Sequence, residues 1–269
     1  MHLRCALACS LLTVALGQAS GQESKQARAL FEAMEQKLSK ATTIHLQTTS
    51  LVGEGDLYGI FKGQAWLGED GAFKLVVEAP IGPDGGPLNA EIVSDGTEVT
   101  IRETADAEPR RIEAPKGIAD SLRRCASRVS VFAGYMLLDS QWGEGGDEPL
   151  PLKNFKLGPK ERDGGRAYQV IEYQTESARR WAGYGGPGNP AQVKLWIDTQ
   201  TGLPHKRTVT LGKARLEESY EACELDAELA PGTFGEAKPK PFNKPKPAEE
   251  PAEEPVEPKP VETPKRRWF

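Results

Sequence analysis

Glu91-Ile-Val-Ser-Asp-Gly-Thr-Glu-Val-Thr-Ile-Arg102 carries the clearest local instruction in this chain. Two short runs rich in β-branched residues flank Asp95-Gly96. An Asp-Gly pair between alternating apolar residues is the strongest short-range signal for a β-hairpin. The same grammar recurs on both sides. Upstream, Tyr58 to Leu67 and Ala72 to Glu78 read as a hairpin around Gly68-Glu-Asp-Gly71, with Phe73, Leu75 and Val77 alternating against Lys74 and Glu78. Thr42 to Val52 is a further β-type run. Residues 79–90 and 103–117 read as loops. Downstream, Asn154 to Glu161 and Arg166 to Thr175 straddle Asp163-Gly-Gly165. Gln192 to Asp198 and Leu203 to Leu211 straddle Thr199-Gln-Thr-Gly202, and Ala214 to Asp226 is the last strand.

Two stretches follow a helical period instead. From Glu23 to Ala41, the residues Ala27, Leu30, Phe31, Met34 and Leu38 fall on one face. In the middle of the chain Ile118, Leu122, Cys125, Ala126 and Val129 do the same, and Val131 to Leu138 continues apolar. Short turns imply antiparallel neighbours. A sheet of nine or ten such strands curls or closes, and its concave face must be filled. The expected fold is therefore α+β and mainly β: a strongly curved antiparallel sheet, or half-open β-barrel, under a helical lid. Such an arrangement commonly leaves an apolar cavity.

Composition agrees and excludes alternatives. The chain has 269 residues, 28 glycines and 21 prolines with only 38% hydrophobic residues, which argues against a helical bundle. A net charge of −5 argues against a nucleic-acid binder, which would show a concentrated basic face. No uninterrupted apolar run reaches the ~18 residues that a membrane-spanning helix needs.

The two ends differ from the middle. Residues 1–19 read as a secretory signal, with Arg4 before the apolar run Cys5 to Leu16 and small residues after it; a buried N-terminal helix is the alternative. Its removal leaves Cys125 and Cys223, either a disulfide in an oxidising compartment or two unpaired core thiols. Residues 20–235 form the domain. Residues 236–269 hold nine of the prolines with blocks of Lys and Glu and no glycine, a composition that favours disorder with polyproline II character. That tail is either an inert solubilising segment or a tether whose Lys265-Arg-Arg-Trp-Phe269 end touches a membrane surface or an envelope protein.

Chemistry is sparse. His45 and His205 lie near no nucleophile signature, and their spacing makes no metal site. Gly183 to Pro190 is glycine-rich but lacks the Lys-Ser/Thr of a phosphate loop. Asp95 with Glu98 reads as a turn acid beside a strand acid. Arg179-Arg-Trp181 suits an anionic headgroup or an ordinary loop. The expectation is a protein that is not an enzyme and uses no cofactor and no metal. The candidates for lining a ligand cavity are the strand residues Trp66, Phe73, Leu75, Val77, Val99, Ile101, Tyr168, Val170, Leu195 and Ile197, with Phe132, Tyr135, Met136 and Leu137 in the lid. Leu195 and Trp196 are neighbours on one strand, so one of them faces outward.

Several phrases, taken in order, resemble the LolA/LolB-type lipoprotein carrier superfamily. They are Ala27-Arg-Ala-Leu-Phe-Glu-Ala-Met34, Gly63-Gln-Ala-Trp-Leu67 to Phe73-Lys-Leu75, Ile92 to Val99, Val193 to Asp198, Thr201 to Arg207, and Glu218 to Leu225 leading to Leu229-Ala-Pro-Gly-Thr-Phe234. The resemblance implies an incomplete barrel and a helical lid over a cavity that takes acyl chains. It also implies a periplasmic monomer whose partner is a lipid or a lipidated protein, in a carrier or sorting role. Carriers of that kind use an arginine on an early strand to hold the lid, and Ile44 to Val52 contains none. The competing reading is an envelope interaction or stress-sensor module on the same scaffold, with the tail as tether or effector. A hydrolase is the third.

Overall fold

The computed structural model describes the backbone of residues 3–54, 57–79, 88–103, 108–131, 151–175 and 190–235, and the side chains of these from residue 22 onward except at 57, 58 and 88. The lid residues Phe132, Tyr135, Met136 and Leu137, the loop 176–189 and the tail 236–269 lie outside the described residues.

The first helix, α1 (Leu3–Lys40), is followed by β1 (Ile44–Glu54), β2 (Leu57–Leu67), β3 (Ala72–Ala79), β4 (Leu88–Asp95), β5 (Glu98–Arg102) and β6 (Arg110–Glu113). Then come α2 (Ile118–Arg128), β7 (Leu152–Asp163), β8 (Arg166–Thr175), β9 (Ala191–Asp198), β10 (Pro204–Leu211) and β11 (Ala214–Leu225). These eleven strands form one antiparallel sheet in the order β6-β5-β4-β3-β2-β1-β11-β10-β9-β8-β7. The path explains the order. The chain starts at the centre, steps hairpin by hairpin to the edge β6, and reaches the opposite edge β7 by way of α2. It then steps back until β11 lies beside β1. Among the described residues β6 and β7 do not pair, so the sheet is open. No helix among them is long and apolar enough to cross a membrane.

The structure differs from the sequence expectation at both of the early loops; residues 88–90, read as loop, open β4. Residues 110–113, read as loop, form β6, which pairs Val99 with Ile112 and Ile101 with Arg110. Three of its four residues are charged, so it carries no apolar alternation to find. A short charged strand is also a usual way of ending an open sheet.

The opening hairpin shows why its sequence is what it is. Asp95 Oδ1 accepts from Thr97 N, Thr97 Oγ1 and Glu98 N at 2.7–2.8 Å, so this acid is a turn residue. Gly96 has φ +90°, and a Cβ there would lie 2.2 Å from the Asp70 carbonyl oxygen in the β2–β3 turn. Only glycine satisfies both conditions.

The concave face holds the core. The α1 residues Ala27, Phe31, Met34 and Leu38 are at most 5% exposed, as their helical spacing requires. Phe31 meets Phe155 and Tyr173 at ring-centroid distances of 5.7 and 5.0 Å, while Phe155 stacks on Tyr173 at 5.4 Å. The half of the concavity under β7–β10 is thereby filled with large rings. Across β1–β4 the inward face mixes large residues (Ile44, Leu46, Leu67, Phe73, Leu75 and Ile92) with small ones (Thr48, Ser50, Ala65, Ala79 and Ala90).

Candidate functional site

The concave face is crossed at mid-depth by one continuous row of paired residues: Phe61, Ser50, Glu218, Arg207, Leu195 and Ile171. Its outer members are apolar and its centre is an ion pair. Arg207 and Glu218 are both fully buried, with 4.0 Å between their charged atoms. Each is directed at α2. Arg207 Nη1 donates to the Ala126 carbonyl at 2.8 Å and Nη2 to that of Ser127 at 2.7 Å. These carbonyls belong to the negative end of the helix, where a cation is favoured. Glu218 accepts from Ser130 Oγ at 2.9 Å, from Val131 N at 3.0 Å and from the Tyr220 hydroxyl.

Two further groups hold the same turn. The Tyr173 hydroxyl donates to the Arg128 carbonyl at 2.9 Å. Arg128 makes a two-pronged ion pair with Glu35 of α1, Nε at 2.6 Å and Nη2 at 3.1 Å. At the opposite end of the sheet Arg123 reaches out of α2 to the carbonyls of Leu38, Ala41, Thr42, Leu67 and Gly68, the shortest contact being 2.8 Å. It ties the end of α1 and the β2–β3 turn to α2. Burial draws its guanidinium below the ordinary value against the pull of Asp120 and Glu69.

This assembly sets the local electrostatics. Burial alone would lower the Arg207 guanidinium, but Tyr220, Tyr173, Glu218 and Cys125 around it raise it above its ordinary value, so it is a permanent cation. Burial pushes the Cys125 thiol and the Tyr173 hydroxyl up to about 12. Cys223 is pushed up to about 12 for the same reason. Both cysteines are free thiols in this structure.

Beside the clamp lies a small cavity of about 10 Å³, lined by Thr48, Ser50, Phe61, Gly63, Leu75, Val77 and Val131 among others. That is room for about one water molecule. A wider hollow of about 1000 Å³ runs along β7–β10 past Phe155, Tyr173, Lys194, Trp196 and Lys206. It is open to solvent, with polar and apolar groups sharing its walls. Lys194 and Lys206 lie over the Trp196 ring and pair with Glu161 and Glu217.

Of the residues singled out in the sequence, Leu75 and Val77 line the small cavity. Phe73, Val99, Ile101, Leu195 and Ile197 are at most 6% exposed and belong to the core cluster. Three take the other face. Trp66 stacks on His45 at 5.0 Å and lies under Lys74, outside the concavity. Tyr168 stacks on His205 at 4.2 Å, and Val170 pairs with the outward Trp196. Both are nevertheless buried. In β8 the inward residues of the core cluster are Ile171 and Tyr173, one position out of step. His45 faces Glu224 at 3.1 Å, a polar-neighbour histidine.

Sequence reasoning missed the clamp, though a signal existed. Arg207 shares the inward parity of Val209 and Leu211, and Glu218 that of Leu216 and Tyr220. Opposite charges at inward positions of consecutive strands point to a buried pair. In this chain it is a late-strand arginine, Arg207 of β10, that holds the helix end.

No protein-family model and no curated protein sequence matches the chain. Solved structures similar to it include LprF from Mycobacterium bovis, with 11% identity and a TM-score of 0.49 over 79% of this chain and 99% of that one. The Mycobacterium tuberculosis lipoprotein LppX has 12% identity and a TM-score of 0.44 over 75% of this chain and 99% of that one. NE2245 from Nitrosomonas europaea, described as a LolA superfamily protein, has 11% identity and a TM-score of 0.31 over 77% of this chain and 96% of that one.

Proposed function

We propose that the protein is an exported, non-catalytic periplasmic carrier that holds a lipid, or the acyl chains of a lipidated protein, between the curved sheet and the helices. The observation that supports this reading is the concave face itself: a mainly apolar surface with α2 fastened across it by side chains from β8, β10, β11 and α1. An acyl chain placed there is shielded from water, each buried methylene contributing about 0.8 kcal/mol. Holding requires no bond to form or break. The described side chains fill the concavity, whereas a ligand pocket runs to roughly 300–1,000 Å³. Loading therefore displaces side chains into a more open arrangement.

The test is native mass spectrometry of protein purified without detergent, followed by displacement of a bound fluorescent fatty acid. A lipid-sized adduct and displacement by phospholipid are expected. A bare protein mass together with no uptake of the fluorescent fatty acid would overturn the reading.

A further inference from the structure

Most residues lining the wider hollow belong to the outer face of the sheet, which lipid carriage leaves unused. One rim of this hollow is a ladder of side-chain amides. Asn154 Nδ2 donates to Gln174 Oε1 at 2.5 Å, and Gln174 Nε2 donates to Gln192 Oε1 at 3.0 Å. Backbone register continues the row from Gln192 to Thr210 and from Thr210 to Arg215. One polar side chain thus stands on each of five neighbouring strands, β7 to β11. Asn154 joins the row at a break in register between Lys153 and Lys156, where it holds φ +57°. An irregularity of this kind re-aims a side chain and is frequent beside functional sites.

The floor of the hollow is the next row, Glu172, Lys194 and Thr208, and its other rim is the register pair Trp196 and Lys206. The two rims are four residues apart, roughly 13 Å along the strands. Trp196 Nε1 donates to Glu161 at 2.7 Å, which fixes the ring. Lys194 rises from the floor over that ring at 4.6 Å, so one aromatic face is turned toward the hollow. Lys194 and Lys206 are both more than a third exposed, and surface ion pairs such as theirs with Glu161 and Glu217 cost little to displace.

This lining selects a ligand class. Charges of both signs are interleaved, which favours a neutral ligand over a phosphate or a polyanion. An amide offers two donors and two acceptor positions, and the ladder takes only one of each from Gln174, so capacity for a ligand is left. An aromatic plane opposite a row of amides and hydroxyls matches a sugar, which has an apolar C–H face and a polar rim. The spacing discriminates further. The row repeats at the strand separation, roughly 4.8 Å, whereas an extended peptide laid across the strands advances ~3.3 Å per residue and falls out of step. An extended β-1,4-linked pyranose chain advances by about one strand separation per sugar.

We propose that the outer face of β7–β11 binds an extended, neutral β-1,4-linked oligosaccharide running across the strands between the amide ladder and Trp196. This site lies on the face opposite the core and is independent of lipid carriage.

The experiment titrates the full chain with chitohexaose, cellohexaose and the α-1,4-linked maltohexaose by isothermal titration calorimetry. At least one of the two β-1,4 hexasaccharides should bind about tenfold more tightly than maltohexaose, whose curved chain loses the register. The better of the two shows whether acetamido groups take part. Its disaccharide, which spans only two strands, should bind about tenfold more weakly. Gln192→Ala, a change at an exposed side chain, should weaken binding about fivefold, the size of one neutral hydrogen bond. Trp196→Ala, with its fold checked by circular dichroism, should weaken it by a similar factor. Uptake of a fluorescent fatty acid should be unchanged in both variants. Binding of neither β-1,4 hexasaccharide, equal binding of maltohexaose, or affinity that survives both substitutions would overturn the assignment. Fatty-acid uptake by the wild type tests the carrier reading separately.

Discussion

Arg207 and Glu218 face each other across β10 and β11 without solvent contact; Arg207 donates to carbonyls of the last turn of α2, while Glu218 accepts from Ser130 and Val131 just beyond that turn and from Tyr220. The pair fastens a helix end to a sheet. A buried charge is tolerated when it is both paired and hydrogen-bonded, and removing one partner leaves the other uncompensated. Arg207→Met should therefore destabilise the domain by about 3–5 kcal/mol in urea unfolding, and Glu218→Leu by a similar amount. The double variant should cost less than the two single changes together. Additive losses would mean that the residues act independently.

The alkaline limb of stability follows from the same region. Cys125 has an ordinary value of 9.0 and is pushed up to about 12 by burial. A group whose folded value is raised keeps its proton longer in the folded state. Its contribution is complete below pH 9 and is lost as pH climbs toward 12. Tyr173 and Tyr220 are shifted in the same direction, again mainly by burial. The melting temperature should fall steeply above about pH 9, and Cys125→Ala should make that fall shallower. A melting temperature rising between pH 9 and 11 would contradict this.

The two thiols give a separate readout. With Cys125 buried and both values near 12, neither sulfur should react with a maleimide at pH 7.5 in the folded protein. In a chain that begins after residue 19, unfolding in urea without reductant should expose two reactive thiols. None would show instead that Cys125 and Cys223 pair in solution.

Phe31 joins α1 to the far half of the sheet through Phe155 and Tyr173. Phe31→Ala should cost roughly 3–5 kcal/mol, the usual range for a fully buried aromatic residue. A loss below 1 kcal/mol, measured by chemical denaturation, would mean that α1 does not fill the concavity.

Gly96→Ala should be far more damaging than its size suggests. The added carbon would approach the Asp70 carbonyl oxygen to 2.2 Å at a residue with φ +90°. The expected loss is roughly 1–3 kcal/mol, whereas Gly164→Ala, which has φ +55° but meets nothing within 4 Å, should cost less. Equal losses in the two variants would contradict the close approach of the two turns.

The sheet was legible because its information is local. Asp95-Gly96, Asp163-Gly-Gly165 and Thr199-Gln-Thr-Gly202 each fix a hairpin within a few residues, and alternation in Phe73, Leu75 and Val77 fixes the face. Two things were not local. Tyr168 and Val170 are as buried as any inward residue because neighbouring segments cover the outer face there; Val170 lies against Gly158 of β7. The face they occupy depends on the register with β9. The clamp joins residues about 80–90 positions apart, and only the return of β11 to the centre of the sheet brings Glu218 to Ser130. A charge read alone at position 207 or 218 looks like a solvated strand residue.

The most direct test of the central claim is photo-crosslinking with a fatty acyl probe carrying a diazirine on its chain, followed by peptide mapping. The account predicts adducts on the concave residues Phe61, Leu75, Val77 and Val131, lost when unlabelled phospholipid is added. Adducts confined to the exposed outer-face pair Leu51 and Ile60, which are 37% and 48% exposed, or adducts that phospholipid does not displace, would contradict it.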